Sequence, residues 1–154
     1  MDDSTYVAVV GGGAADAPHL DTAREVGRLL AERGAVLVCG GLGGVMAASA
    51  AGAAGAGGTV VGLLPGADRH DADPHVTVAI TTGLGEMRNA LVVRAADAVI
   101  AVGGEYGTLS EIAFALRTGV PVVGIESWDL PDVAAVDTPA AAVDLALALA
   151  AART

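Results

Sequence analysis

The sequence predicts a Rossmann-like α/β domain: a doubly wound parallel sheet with helices on both faces. Three observations predict it. Short apolar runs alternate with longer segments of helical period, the runs are apolar at nearly every position, and glycine clusters stand where several runs end. Strands buried on both faces read as continuous Val, Ile, Leu and Ala, which is what a parallel sheet between helix layers requires. The 154 residues suit a single domain, 1–154. Hydrophobic residues make up 53% of the chain but aromatics only 3%, so the core is expected to be built from small aliphatic side chains.

Taken in order, YVAVV (6–10) is a strand that ends at Gly11-Gly12-Gly13. Residues 21–33 place Ala23, Val26, Leu29 and Leu30 on one helical face, with Asp21 as the expected cap and Gly34 as the stop. AVLVC (35–39) is a second strand, and the small-residue helix MAASAAGAAGAG that follows can approach a sheet closely. TVVGLL (59–64) and VTVAI (76–80) are the third and fourth strands, and LGEMRNALVVRA (84–95) is a helix. AVIAV (98–102), a helix over about 107–118 and the final strand PVVGI (121–125) complete the alternation. TPAAAVDLALALAA (138–151) is a closing helix, with Thr138 as cap and Pro139 at the first helical position. Trp128 and Asp129, following the last strand, are expected against a neighbour or against this helix.

Composition narrows the function. A formal charge of −10 and the lack of any lysine argue against a nucleic-acid polymer as partner, since that binding depends on cations meeting phosphates. A single small anion held by backbone N–H groups remains compatible. The apolar runs are interrupted before they could span a bilayer, and MDDSTYVAVV lacks a basic leader region, so a cytoplasmic protein without membrane contact is expected. Cys39 in VLVC reads as a buried, inert thiol. His70, Asp71, Asp73 and His75 share a polar loop without the spacing of a metal site, and no metal is expected. His19 is read as a residue near a helix start.

In such folds ligands sit at the carboxyl ends of the strands, where three glycine clusters occur: 11–13, 40–44 and 103–107. None is a dinucleotide fingerprint, because Asp16 and Met46 occupy the places of its third glycine. Walker A and GxSxG motifs are also absent. Gly107-Thr108 at a helix start offers free N–H groups, a positive dipole end and a hydroxyl, a set that suits phosphate. Glu111, one turn on, can point into the same cleft. T-L-S-E (108–111) also reads as a capping box, with Thr108 as cap and Glu111 answering it, so the carboxylate has two candidate occupations.

The stretch GGEYGTLSE (103–111) resembles the PGGxGTxxE signature of the LONELY GUY (LOG), lysine decarboxylase-like family, with Gly103 in place of proline and Glu105 in place of the second glycine. CGGLGGVM (39–46) resembles that family's GGGxxGLM turn. Glu86-Met87-Arg88-Asn89 resembles its Met-x-x-Arg-Lys stretch, with Asn89 where lysine is usual. The resemblance spans residues 5–126. Its departures are similar to a short bacterial branch that also contains molybdenum-cofactor carrier-like proteins.

The resemblance implies a phosphoribohydrolase, which cleaves the N-glycosidic bond of a nucleoside 5′-monophosphate to free base and ribose 5-phosphate. Glu111 would stabilise the oxocarbenium-like ribose and orient a water, while Arg88 would bind phosphate or base and hold Glu111 ionised. The phosphate would lie against Gly104, Gly107 and Thr108, with Gly12, Gly13, Gly41, Gly43 and Gly44 opposite. Met87, Glu105 and Tyr106 belong to the same implied nucleotide-binding set. No metal or cofactor is required for that reaction. The alternative is a carrier that holds a phosphorylated, molybdopterin-type ligand without turnover. A homodimer or higher homo-oligomer is also implied.

Overall fold

A computed structural model describes residues 2–153. Its centre is a seven-stranded sheet of β1 (Tyr6–Gly11), β2 (Val36–Cys39), β3 (Val60–Leu64), β4 (Val78–Thr81), β5 (Ala98–Val102), β6 (Val122–Ile125) and β7 (Val133–Val136). The spatial order is β4-β3-β2-β1-β5-β6-β7, and every neighbouring pair is parallel. This is the doubly wound sheet that the sequence predicts. The chain winds outward from β1 to β4, returns to place β5 against β1, and winds outward the other way.

Helices α1 (Ala17–Glu32), α2 (Val45–Gly55) and α5 (Pro139–Ala152) cover one face; α3 (Arg88–Arg94) and α4 (Tyr106–Arg117) cover the other. The alternation within a strand divides the core between them. Val7 and Val9 of β1 pack with Val26 and Leu30 of α1, while Ala8 and Val10 pack with Val92 of α3 and Ile112 of α4. No ring lies among the largest fully buried side chains; Leu30, Leu37, Leu64, Ile100 and Ile112 lead them. Burial pushes the Cys39 thiol up to about 11, as befits an inert core residue. Among the described residues no helix is long and apolar enough to cross a membrane.

Four local expectations need correction. Helix α1 begins four residues before Asp21, at Ala17, because Asp16 is its cap and accepts from the His19 N–H at 3.2 Å. Pro18 sits in the first turn, where a missing N–H costs nothing. The helix expected over 84–95 is a 3₁₀ turn at Gly85–Met87 followed by α3, since Gly85 has φ 60, outside the helical region. PVVGI is not the last strand: β7 pairs with β6 in the register Val122↔Val133. Finally, Trp128 does not pack on α5 but stacks on Tyr106, with centroids 6.1 Å apart.

The small residues of α2 do more than meet the sheet. A Cβ added to Gly52 would stand 1.9 Å from the Arg24 carbonyl oxygen, and one on Gly27 would stand 2.0 Å from that of Ser49. Helices α1 and α2 therefore touch backbone to backbone. Gly52→Ala should cost about 1–3 kcal/mol, because neither carbonyl can yield without moving a helix. Gly55→Ala, on the same helix with nothing within 4 Å, should stabilise slightly. Thermal melts of the two variants check this: the first should fall by several degrees and the second should not.

Candidate functional site

The reversal of winding between β1 and β5 opens a crevice at the carboxyl ends of these strands, the place where doubly wound sheets hold ligands. A cleft lies there. Its walls are Val9 to Gly13 from the end of β1, Gly40 and Met46 around the β2–α2 turn, Arg88 and Asn89 from α3, and Glu105, Gly107, Thr108 and Glu111 from the start of α4. Two helices point their first turns at it. Helix α2 starts at Val45, whose N–H donates to the Gly12 carbonyl at 3.1 Å, and α4 starts at Tyr106. The positive dipole ends of both helices thus lie beside one space, which favours an anion, although the Val45 N–H is spent on Gly12 and, in the capping box of α4, that of Thr108 is given to the Glu105 side chain.

Arg88 is buried, only 8% exposed, and its guanidinium is already occupied. Nε donates to the Leu63 carbonyl at 2.8 Å, Nη2 to the Gly40 carbonyl at 3.3 Å, and Nη1 to the Asn89 side chain. The plane lies directly on Gly40: a Cβ there would be 2.7 Å from Nη2. Among the described residues no carboxylate bonds to it. Gly40 is therefore the member of the second glycine cluster that shapes the cleft.

Glu111 is half-buried, and desolvation pushes its carboxyl up to about 7, with the charge of Arg88 pulling the other way. The expectation that Arg88 holds it ionised is therefore corrected: burial outweighs the guanidinium. The capping box is corrected too. Helix α4 is capped by Glu105, whose N–H donates to Thr108 Oγ1 at 3.4 Å, so Thr108 answers the cap and is not itself the cap. Glu111 lies one turn further and has no part in capping. Thr108 is 2% exposed, and its hydroxyl proton remains available to the cleft.

Glu105 replaces a glycine of the resembled signature, and its carboxylate bends over Gly12; a Cβ on Gly12 would meet Oε1 at 2.5 Å. Gly103 replaces the proline for a clear reason. Its φ is 62, which proline cannot adopt, and its N–H donates to the Ile125 carbonyl at 3.0 Å. The His19 ring lies against it, with Nε2 3.3 Å from Glu126 Oε2.

Of the expected residues, the cleft gathers Gly12, Gly13, Arg88, Glu105, Gly107, Thr108 and Glu111. Gly41, Gly43 and Gly44 do not line it: Gly41 packs towards Leu64, Gly43 faces open space and Gly44 packs on Gly12 and Gly13. Met87 is 76% exposed and lines a neighbouring groove with Glu86, Ser110 and Phe114, which shares Glu111 and Asn89 with the cleft. Gly104 and Tyr106 face outward towards Trp128. Val9, Val10, Gly40 and Met46 are wall residues that sequence reasoning missed, and Gly11 and Asn89 were noted in it without being assigned to the site. Gly40 could have been found as the first residue beyond β2, where strand ends present their backbone to ligand. The loop bearing His70 and His75 stands aside, each ring bonded to the aspartate two residues before it, Asp68 or Asp73. Among the described residues no group of three or more His, Cys, Asp or Glu could hold a metal ion.

Comparison with known proteins agrees with this geometry. The molybdenum cofactor binding protein of Rippkaea orientalis superposes with a TM-score of 0.90 at 34% identity, over 95% of this chain and 97% of that one. The molybdenum cofactor carrier protein of Chlamydomonas reinhardtii gives 0.89 at 31% identity, over 96% and 99%. An uncharacterized protein of Archaeoglobus fulgidus is 41% identical over 120 residues, 78% of this chain and 79% of that protein. These neighbours bear out the carrier-like branch expected from the glycine loops. The model of the SLOG cluster4 family matches residues 4–150, and the chain belongs to that family.

Proposed function

We propose that this protein holds a small phosphorylated heterocyclic ligand, of the molybdopterin type, in the β1/β5 cleft and carries it without turnover. The observation that carries this reading is the state of Arg88. It is the cation in the cleft wall, and its donors are directed to the Leu63 and Gly40 carbonyls and to Asn89, not to Glu111. The arginine braces the wall, and the anion grip comes from the first turns of α2 and α4. The solved relatives named as binding or carrying the molybdenum cofactor support the same reading.

A second reading, the phosphoribohydrolase, is favoured by one observation. Glu111 shares the cleft with Arg88 and has a carboxyl pushed up to about 7, the range in which a side chain can exchange protons at neutral pH. One set of measurements separates the two. Purified protein is incubated with molybdenum cofactor released from a molybdoenzyme and passed over a sizing column, and separately incubated with AMP. The carrier reading expects co-elution of the pterin and no adenine. Release of adenine by the wild type, lost in Glu111→Ala, would overturn it in favour of the hydrolase. The reading includes a homodimer, supported by the exposed apolar side chains Val78, Ile80, Leu84, Met87 and Leu91. Elution at monomer size on the same column removes that part.

A further inference from the structure

Only four aromatic residues occur in the chain: Trp128, Tyr6, Tyr106 and Phe114. Tyr6 and Phe114 pack against the core face shared by α3 and α4. The other two lie together at the rim of the cleft. Tyr106, the first residue of α4, is 84% exposed and stacks on Trp128 with ring centroids 6.1 Å apart and planes at 25°. Such a ring left in water forgoes the large apolar burial that aromatics normally bring.

Trp128 is fixed in this place. Its indole N–H donates to the Glu105 carbonyl at 3.2 Å, and its edge lies so close to Gly104 that a Cβ there would meet Nε1 at 2.7 Å. Gly104 thus makes room for an indole, which explains a glycine that the phosphate cradle itself does not use. The hollow formed by Gly104, Glu105, Tyr106, Gly107 and Trp128 shares Glu105 and Gly107 with the cleft. One loop therefore presents the first turn of α4 on its inner side and a stacked pair of rings on its outer side.

From this juxtaposition we propose that Tyr106 and Trp128 form the platform on which the planar heterocycle of the ligand stacks, while its phosphate sits at the first turn of α4. The proposal rests on the cleft being a site for a phosphorylated heterocycle, as argued above. Ring stacking tolerates any flat heterocycle because each presents a π-face. Glu105 adds selectivity: beyond the Thr108 N–H that it accepts in the capping box, its side-chain oxygens can accept from a ring that bears an exocyclic amino group.

Trp128 is the chain's single tryptophan, so its fluorescence reports on the platform directly. Calorimetry and tryptophan emission are followed together while molybdenum cofactor, AMP and ribose 5-phosphate are added in separate titrations. At least one of the two heterocyclic ligands should bind and change Trp128 emission, whereas ribose 5-phosphate should bind more weakly and leave emission unchanged. Tyr106→Ala should weaken the heterocyclic ligand about tenfold, in line with the loss of one stacking partner, and Tyr106→Phe should restore wild-type affinity. Ribose 5-phosphate affinity should stay within about twofold in both variants. Calorimetric binding of a heterocycle with unchanged Trp128 emission and no loss in Tyr106→Ala would overturn the platform and leave the cleft reading standing. Loss of self-association in Tyr106→Ala, with ligand affinity intact, would instead assign the rings to a contact between copies. If none of the three compounds binds, the cleft reading fails and the platform fails with it.

Discussion

Glu111→Gln should raise the melting temperature at pH 8 and leave it nearly unchanged at pH 4. In the folded chain burial pushes this carboxyl up to about 7, from an ordinary 4.5. Below 4.5 folded and unfolded chains both hold the proton, so the residue adds no pH dependence. Between 4.5 and 7 the folded chain keeps a proton that the unfolded chain has released, and stability falls as pH rises. Above about 7 the loss is complete, on the order of 3 kcal/mol. Glutamine fills the same space without an ionisation, so the variant gains what the wild type has lost, about 5–10 °C at pH 8. Melts monitored by circular dichroism at a series of pH values decide it: a constant difference between the two proteins would sink the argument. If the hydrolase reading holds, the same ionisation makes kcat/KM rise with a half-point near pH 7 and not near 4.5, and Glu111→Gln lowers it by about 10²–10⁴-fold.

Arg88→Met should lose about 2–4 kcal/mol and move the titration of Glu111 further upward. The methionine can fill much of the volume, but it leaves the Leu63 and Gly40 carbonyls without the donors that now reach them, at about 1–3 kcal/mol for each buried acceptor left unpaired. Arg88 also supplies the charge that opposes desolvation at Glu111, so without it the carboxyl stays neutral to higher pH. Arg88→Lys should not repair both defects, because one ammonium lacks the planar fork that reaches two carbonyls and Asn89 at once. Denaturant titrations of Arg88→Met with and without Glu111→Gln, compared across pH, give the midpoint. A midpoint still near 7 would show that the guanidinium does not act on Glu111.

Much of this could be read in the chain, and the reasons for the rest are local. Strands β1, β2, β3, β5 and β6 announce themselves because burial on both faces demands unbroken apolar runs, while the edge strand β4, which has no buried residue, shows itself by the β-branched residues of VTVAI. Strand β7 does not, because VAAV lies half-exposed at the sheet edge and follows β6 after only the turn 126–132. The start of α1 was hidden by two aspartates, each a chemically adequate cap; Pro18, which fixes the first turn after Asp16, distinguishes them. The glycine clusters identified the binding edge, yet their individual members could not be assigned, since a glycine that makes room for Arg88 and one that makes a turn look alike in a sequence. Gly40 and Gly41 are neighbours with those two different duties: one lies beneath a guanidinium, the other has φ 78. Glu111 was found by its distance along a helix, but the competition between burial and Arg88 that sets its proton affinity depends on three-dimensional surroundings.

The meeting of β1 and β5 has a consequence for how long the folded protein survives. The cleft wall from Val9 to Met46 belongs to the first half of the chain, and the wall from Arg88 to Glu111 belongs to the second. A molecule lodged there spans a seam between the two windings of the sheet and touches both. Prising the windings apart destroys the site, so the free energy of occupancy adds to the work of separating them. If the carrier reading holds, the occupied protein resists proteases longer than the empty one, and supply of the ligand sets the abundance of its holder.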